Sequence, residues 1–329
     1  MPPFRKYAYP MDAEYRPWPR RPKVFDALAL YLLAMAGLLV FTCLRAAIPA
    51  LNRYGIGGAA AEVMLLLLPC LRFIRGHDGA KPAVRLVPID AQTGLLCALL
   101  GLCCVRFASC LGDWWCLLLD ALGARIPQGA SLAGAGAWEL ALRVLAQGLV
   151  PAVCEEILLR GVVFSAMERR GTRFALFVSA VLFAALHGSF TALPVQLLMG
   201  LVFGFATLAG ASVLGAVLCH GGYNIWLLLR SAWFDSGLRA GDYARWTDYL
   251  NARGGVGQLA LSTAISLVFV CGAMVLLRRA RQRHRRPLNP MLRPRPLAMD
   301  THTMMVLVSI CVTASALYLT DLLGLFGGL

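Results

Sequence analysis

Three short segments of this chain set ionisable or polar side chains one helical turn apart. In Pro151-Ala-Val-Cys-Glu155-Glu156-Ile-Leu-Leu-Arg160-Gly161, Glu156 and Arg160 are four residues apart and share a helix face, where they can neutralise each other. Glu155 is turned roughly 100° from Glu156 on a helix of about 3.6 residues per turn, so its partner must come from another segment. Phe183-Ala-Ala-Leu-His187 puts a ring one turn before an imidazole, and His220-Gly-Gly-Tyr-Asn224 puts imidazole and carboxamide on one stripe. A carboxylate left without a full cation partner can take a proton near neutral pH. A histidine can share and orient a water, and a second histidine with an amide can hold an oxyanion. This is equipment for hydrolysing an acyl bond.

The segments that must position these groups are apolar. Of 329 residues, 59% are hydrophobic and 15% charged, with a mean hydropathy of +0.68. A soluble domain carries about 25% charged residues and is under half apolar, so a soluble globular protein, a disordered chain and a collagen-like repeat are all excluded. Runs that can cross a hydrocarbon core as helices of roughly 17 to 25 residues lie at 25–44, 57–73, 91–111, 134–167, 174–186, 193–208, 211–229, 256–277 and 304–326. The expectation is an all-α, polytopic transmembrane bundle of about nine spans, the fifth and sixth being short. It divides into a polar, proline-rich tail (1–24), N-terminal transmembrane helices (25–133), a core carrying the three segments (134–229), an extracytoplasmic loop (230–255) and C-terminal helices with a basic loop (256–329). An ionisable side chain at the bilayer centre costs at least ~2.5 to 3.5 kcal/mol, so such residues are functional candidates.

The net charge of +14, from 31 Lys and Arg against 17 Asp and Glu, is read by where it falls. Arg5, Lys6, Arg16, Arg20, Arg21 and Lys23 precede the first run, which places the N-terminus in the cytoplasm. Alternating crossings then put Arg72, Arg75, Lys81 and Arg85 inside, followed by Arg169, Arg170 and Arg173 and the run from Arg278 to Arg295. The charge is thus mostly a topogenic signal and an attraction to anionic headgroups, and no nucleic-acid partner is expected. The 11 cysteines, without C-x-x-C spacing, read as small packing residues. Glu139 and Arg143 form a further structural pair. Glu62, Arg106 and Asp26 lie near span ends, where snorkelling suffices, and Trp114 and Trp115 read as interfacial anchors. Gly221 and Gly222 would let another backbone approach closely.

On hydrophobic helices and in this order, the three segments resemble the CAAX protease and bacteriocin-processing family of intramembrane peptidases, with its pattern EExxxR, FxxxH and HxxxN or HxxxD. The likeness covers roughly residues 134–229 and includes Gly161, although Leu159 stands where the family often has Phe. The resemblance implies a glutamate-type intramembrane endopeptidase. In it Glu155 and His187 activate water, His220 and Asn224 stabilise the oxyanion, Glu156 and Arg160 brace the site, and Phe183 walls it. Its substrates would be membrane-anchored, lipidated or exported peptides and proteins met at the lipid bilayer. No cofactor is expected: two histidines and carboxylates could hold zinc, but carboxylate and imidazole already supply the base. The sequence contains no H-E-x-x-H and no G-x-S-x-G. A proton-coupled transporter would use such residues as a relay, but duplicated halves are not evident. A catalytically inactive scaffold is the third reading, against which the intact set of motif residues stands.

Overall fold

The computed structural model describes residues 23–76, 84–126, 132–233, 243, 245–283 and 300–327. The described residues form helices and connecting turns, with no strand. Helix α1 (Val24–Ala47) is followed by α2 (Pro49–Arg75), whose entry Pro49–Gly55 is broken by non-helical backbone at Asn52, Arg53 and Tyr54, so that the regular helix begins at Ile56 after Gly55 at positive φ. Helix α3 (Ala91–Ala121) is capped by Asp90, whose Oδ1 accepts from the Thr93 amide at 2.9 Å. Then come α4 (137–167), α5 (Thr172–His187), α6 (Leu193–Gly210) and α7 (Val213–Trp233). The short α8 (Trp246–Ala252), α9 (Gly255–Arg283) and α10 (Thr301–Gly327) complete the order. Asp300 caps α10 in the same way, accepting from the Thr303 amide at 2.7 Å.

Seven of these helices, α1, α2, α3, α6, α7, α9 and α10, are long and apolar enough to cross a membrane. The protein is an integral membrane protein built as a polytopic helical bundle. The other two segments read as spans are α4 and α5. Helix α4 is interrupted by π turns at Val144–Leu149 and Ile157–Val163 and carries five charged side chains. Helix α5 is 16 residues long. The two helices least like a simple span are those that carry Glu155, Glu156, Arg160 and His187.

Close backbone contact fixes the crossing of α3 and α7. A Cβ added at Gly222 would lie 2.8 Å from the Ala98 carbonyl oxygen, and one at Gly101 would collide with the Cys219 carbonyl. Of the glycine pair expected to permit close approach, only Gly222 does so; at Gly221 the nearest atom to such a Cβ is 3.8 Å away. Trp114 and Trp115 also tie helices together, donating to Thr263 Oγ1 at 3.0 Å and to the Phe190 carbonyl at 2.9 Å. Cys70, Cys97, Cys104, Cys154 and Cys219 are free thiols buried between helices.

The segment 230–255 contains the end of α7 and all of α8, and it is pinned to α3 by Arg245 to Asp120 at 3.5 Å and Arg253 to Asp113 at 3.4 Å. Helix α10 is held to the end of α5 by Tyr318, whose hydroxyl donates to the Ala184 carbonyl at 2.6 Å. Asp321 adds a second tie, accepting from the Phe190 amide at 2.6 Å. The topogenic residues at 5–21, Lys81, and Arg285, Arg286, Arg293 and Arg295 lie outside the described residues, as do Asp235, Arg239 and Asp242.

Candidate active site

Helix α4 delivers two adjacent carboxylates to different partners, as the 100° rotation requires. Glu156, fully buried, accepts through Oε1 from Arg160 Nη1 at 3.0 Å and from His220 Nδ1 at 3.0 Å. Arg160, also fully buried, donates its other terminal nitrogen to the Gly200 carbonyl at 2.6 Å. Its guanidinium lies over the Phe183 ring at 4.9 Å and the Phe203 ring at 5.7 Å. Two hydrogen-bonded acceptors and two aromatic faces compensate this buried cation, although Arg160 Nε and Glu156 Oε2 are buried without a hydrogen-bond partner.

Glu155 turns the other way. Its Oε2 is buried, has no hydrogen-bond partner, and stands 4.0 Å from His187 Nε2. His187 Nδ1 lies 2.9 Å from the Phe183 carbonyl. A carbonyl can only accept, so Nδ1 carries the hydrogen and Nε2 of the neutral ring is an acceptor. Two acceptors therefore face each other across a gap too long for a direct hydrogen bond. The ring of His187 also packs on Phe183, with centroids 4.7 Å apart.

Helix α7 brings the third pair. His220 stacks on Phe203, with centroids 4.3 Å and planes 16° apart, and meets Phe183 edge-on at 5.7 Å. Asn224 donates to the Gln147 carbonyl at 3.4 Å, a position inside the first π turn of α4. The structure thus brings Glu155, Glu156, Arg160, Phe183, His187 and His220 into one cluster, with Asn224 one turn further along α7. Glu139 and Arg143 pair at 2.7 Å, half-exposed near the start of α4.

Two members of the cluster escaped the sequence reading. Phe203 and Gly200, on α6, supply the stacking face for His220 and the carbonyl for Arg160. Neither belongs to a polar spacing pattern, and a backbone carbonyl has no signature in sequence. Glu62 lies near a span end as expected, in the second turn of the helix that starts at Ile56, but its Oε2 is buried without a hydrogen-bond partner instead of snorkelling to an interface.

An open groove of about 720 Å³ runs between α1, α10 and the end of α5, with Met35, Leu38, Leu186 and Leu317 on its walls and His187 at its side. Among the described residues, no group of three or more His, Cys, Asp or Glu is placed to hold a metal ion. The gap between Glu155 and His187 has room for a water between a carboxylate and an imidazole acceptor, beside a largely apolar groove.

Residues 137–226 match the family described as Rce1-like, type II CAAX prenyl endopeptidase. No curated protein and no solved structure matches the chain. The matched residues begin with α4 and end within α7, just past Asn224, so they contain every residue of the cluster just described. The helical core of this membrane protein is thus similar to the CAAX prenyl endopeptidase family over residues 137–226, the stretch that carries the cluster.

Proposed function

We propose that the protein is an intramembrane endopeptidase of the glutamate type, in which Glu155 and His187 activate a water held between them. The observation that carries this reading is the pair of facing acceptors, Glu155 Oε2 and His187 Nε2, 4.0 Å apart. A water donating to both along arms of about 2.8 Å would subtend an angle of about 90°, near its own bond angle, and would keep its lone pairs free to attack. The proton lost on attack passes to Glu155, which returns it to the leaving amine. His220, fixed by Nδ1–H on Glu156, donates through Nε2 to the oxyanion when its ring is protonated. The Asn224 carboxamide, with two N–H groups, supplies the second donor. Glu156 and Arg160 keep His220 in place.

The substrates are membrane-anchored or lipidated peptides, and the groove beside His187 supports a lateral approach from the bilayer. The family's description names a prenyl endopeptidase, so a peptide with a prenylated cysteine near its C-terminus is the first substrate to offer. The basic N-terminal residues support a cytoplasmic N-terminus.

The test is cleavage by the purified protein in proteoliposomes, read by mass spectrometry of the products in ¹⁸O-labelled water. Release of a C-terminal peptide, with label in the new carboxyl of the fragment left in the membrane, is the expected result. Failure to cleave any membrane-presented peptide would remove the peptidase reading. A trapped acyl-enzyme would remove the direct water attack, and stoichiometric zinc with inactivation by chelators would replace the glutamate mechanism with a metal one.

A further inference from the structure

The described residues contain π turns at Val63–Leu67, Val144–Leu149 and Ile157–Val163. A π turn inserts an extra residue into an α-helix at a cost in hydrogen-bond geometry, and such turns are found mostly at functional sites. Two of the three serve the cluster directly. One exposes the Gln147 carbonyl to Asn224, and the other carries Arg160 and begins just after Glu156.

The third π turn begins just after Glu62 on α2. This helix packs against the Val150–Glu156 part of α4, and the carboxylates of Glu62 and Glu155 interact electrostatically. Each has an Oε2 that is buried and without a hydrogen-bond partner. The other titratable groups here are His187 on α5, 4.0 Å from Glu155, Cys154 on α4, which also feels Glu62, and Tyr31 on α1, whose hydroxyl is committed to the Leu182 carbonyl. Arg160 acts on Glu155 but is hydrogen-bonded to Glu156 and Gly200. Among the described residues the charge that acts on Glu62 is that of Glu155 rather than a cation. Two carboxylates that share a site of low dielectric ionise together only at a cost, and one that keeps its proton can donate to the other.

Resting on the reading of Glu155 as the base, we propose that Glu62 is a positioning residue of the site, a protonated carboxyl that donates a hydrogen bond to Glu155 and aims it at the water. The proton stays on Glu62 through turnover. It fixes the orientation of Glu155 and keeps that carboxylate ionised and ready to accept the proton of the water.

The experiment compares Glu62→Ala, Glu62→Gln and Glu155→Ala in the full chain in proteoliposomes, with a farnesylated C-terminal peptide as substrate. Glu62→Ala should lower kcat about 10- to 100-fold, the scale of a lost hydrogen bond to a charged group, with KM within about twofold. Glu62→Gln keeps a donor of the same shape and should restore most of kcat. Because a carboxamide cannot ionise, it should also carry the alkaline limb of the pH profile of kcat/KM outward. Wild-type kcat in Glu62→Ala, equal loss in both Glu62 variants, or an unmoved pH profile in Glu62→Gln would overturn the proposal. Full activity of Glu155→Ala would instead overturn the assignment of the base, so the two failures are distinguishable.

Discussion

Helices α6 and α10 are nearly equal in hydropathy, yet 44% of the most apolar window of α6 is buried inside the protein against 6% for α10. The difference lies in the size and placement of small residues. Gly200 of α6 sits so close to α5 that an added Cβ would be 2.8 Å from Ala180 Cα, and Gly204 faces Leu176 with no more room. Helix α10 instead presents Met305, Val308, Val312, Leu319 and Leu323 outward. In a bilayer, apolar side chains gain little by leaving lipid for protein, so helices associate through packing and hydrogen bonds. The cluster of motif residues sits where small residues bring backbones together around Arg160 and Phe203. The outer helices face the lipid.

That contrast can be broken at several points. The largest effect is expected at the centre: Glu155→Ala or His187→Ala should lower cleavage by about a thousandfold or more, with membrane insertion unchanged. Full turnover by either purified variant would detach the chemistry from the cluster. Next, Arg160→Ala leaves Glu156 buried without its cation and should cost about 3 to 5 kcal/mol, visible as a lower unfolding temperature of the solubilised protein. An unchanged melting curve would mean that Glu156 and His220 need no such brace. Gly222→Val, which drives a side chain into the Ala98 carbonyl, should cost about 1 to 3 kcal/mol in the same assay. The smallest effect belongs to α9, where a Cβ at Gly272 meets nothing within 4 Å. There Gly272→Ala should stay within about 0.5 kcal/mol. Equal destabilisation by the Gly222 and Gly272 variants would erase the distinction between inner and outer helices.

Much of the inner cluster was legible in the sequence because four-residue spacing is a statement about one helix. Glu156 with Arg160, and Phe183 with His187, meet within their own helices. The separation of Glu155 from Glu156 followed from rotation alone. The all-helical membrane fold followed from composition. Contacts that depend on two distant helices were not legible. The stacking of Phe203 on His220 and the Gly200 carbonyl under Arg160 come from α6, whose sequence reads as an ordinary apolar run. The π turns also leave no mark in residue type, because they redistribute backbone hydrogen bonds that every residue carries. The burial of Glu62 was not legible either: hydropathy started its helix at Gly57, one residue from the observed Ile56, but the partner helix α4 that covers the carboxylate is distant in sequence.

The two ties from α10 to the end of α5 have a consequence for assembly. The last carbonyls of a helix lack partners within it. The Ala184 carbonyl, one turn before His187, accepts a long 3.4 Å bond from the Gly188 amide and is answered more closely by Tyr318, and the Phe190 amide just beyond the helix is answered by Asp321. Both answers come from a segment more than a hundred residues further along the chain. Synthesis therefore delivers the end of α5 long before it delivers what ties that end down. A nascent chain with α4 to α7 already inserted would carry every motif residue while the hydrogen bonds from α10 to the end of α5 are still unmade.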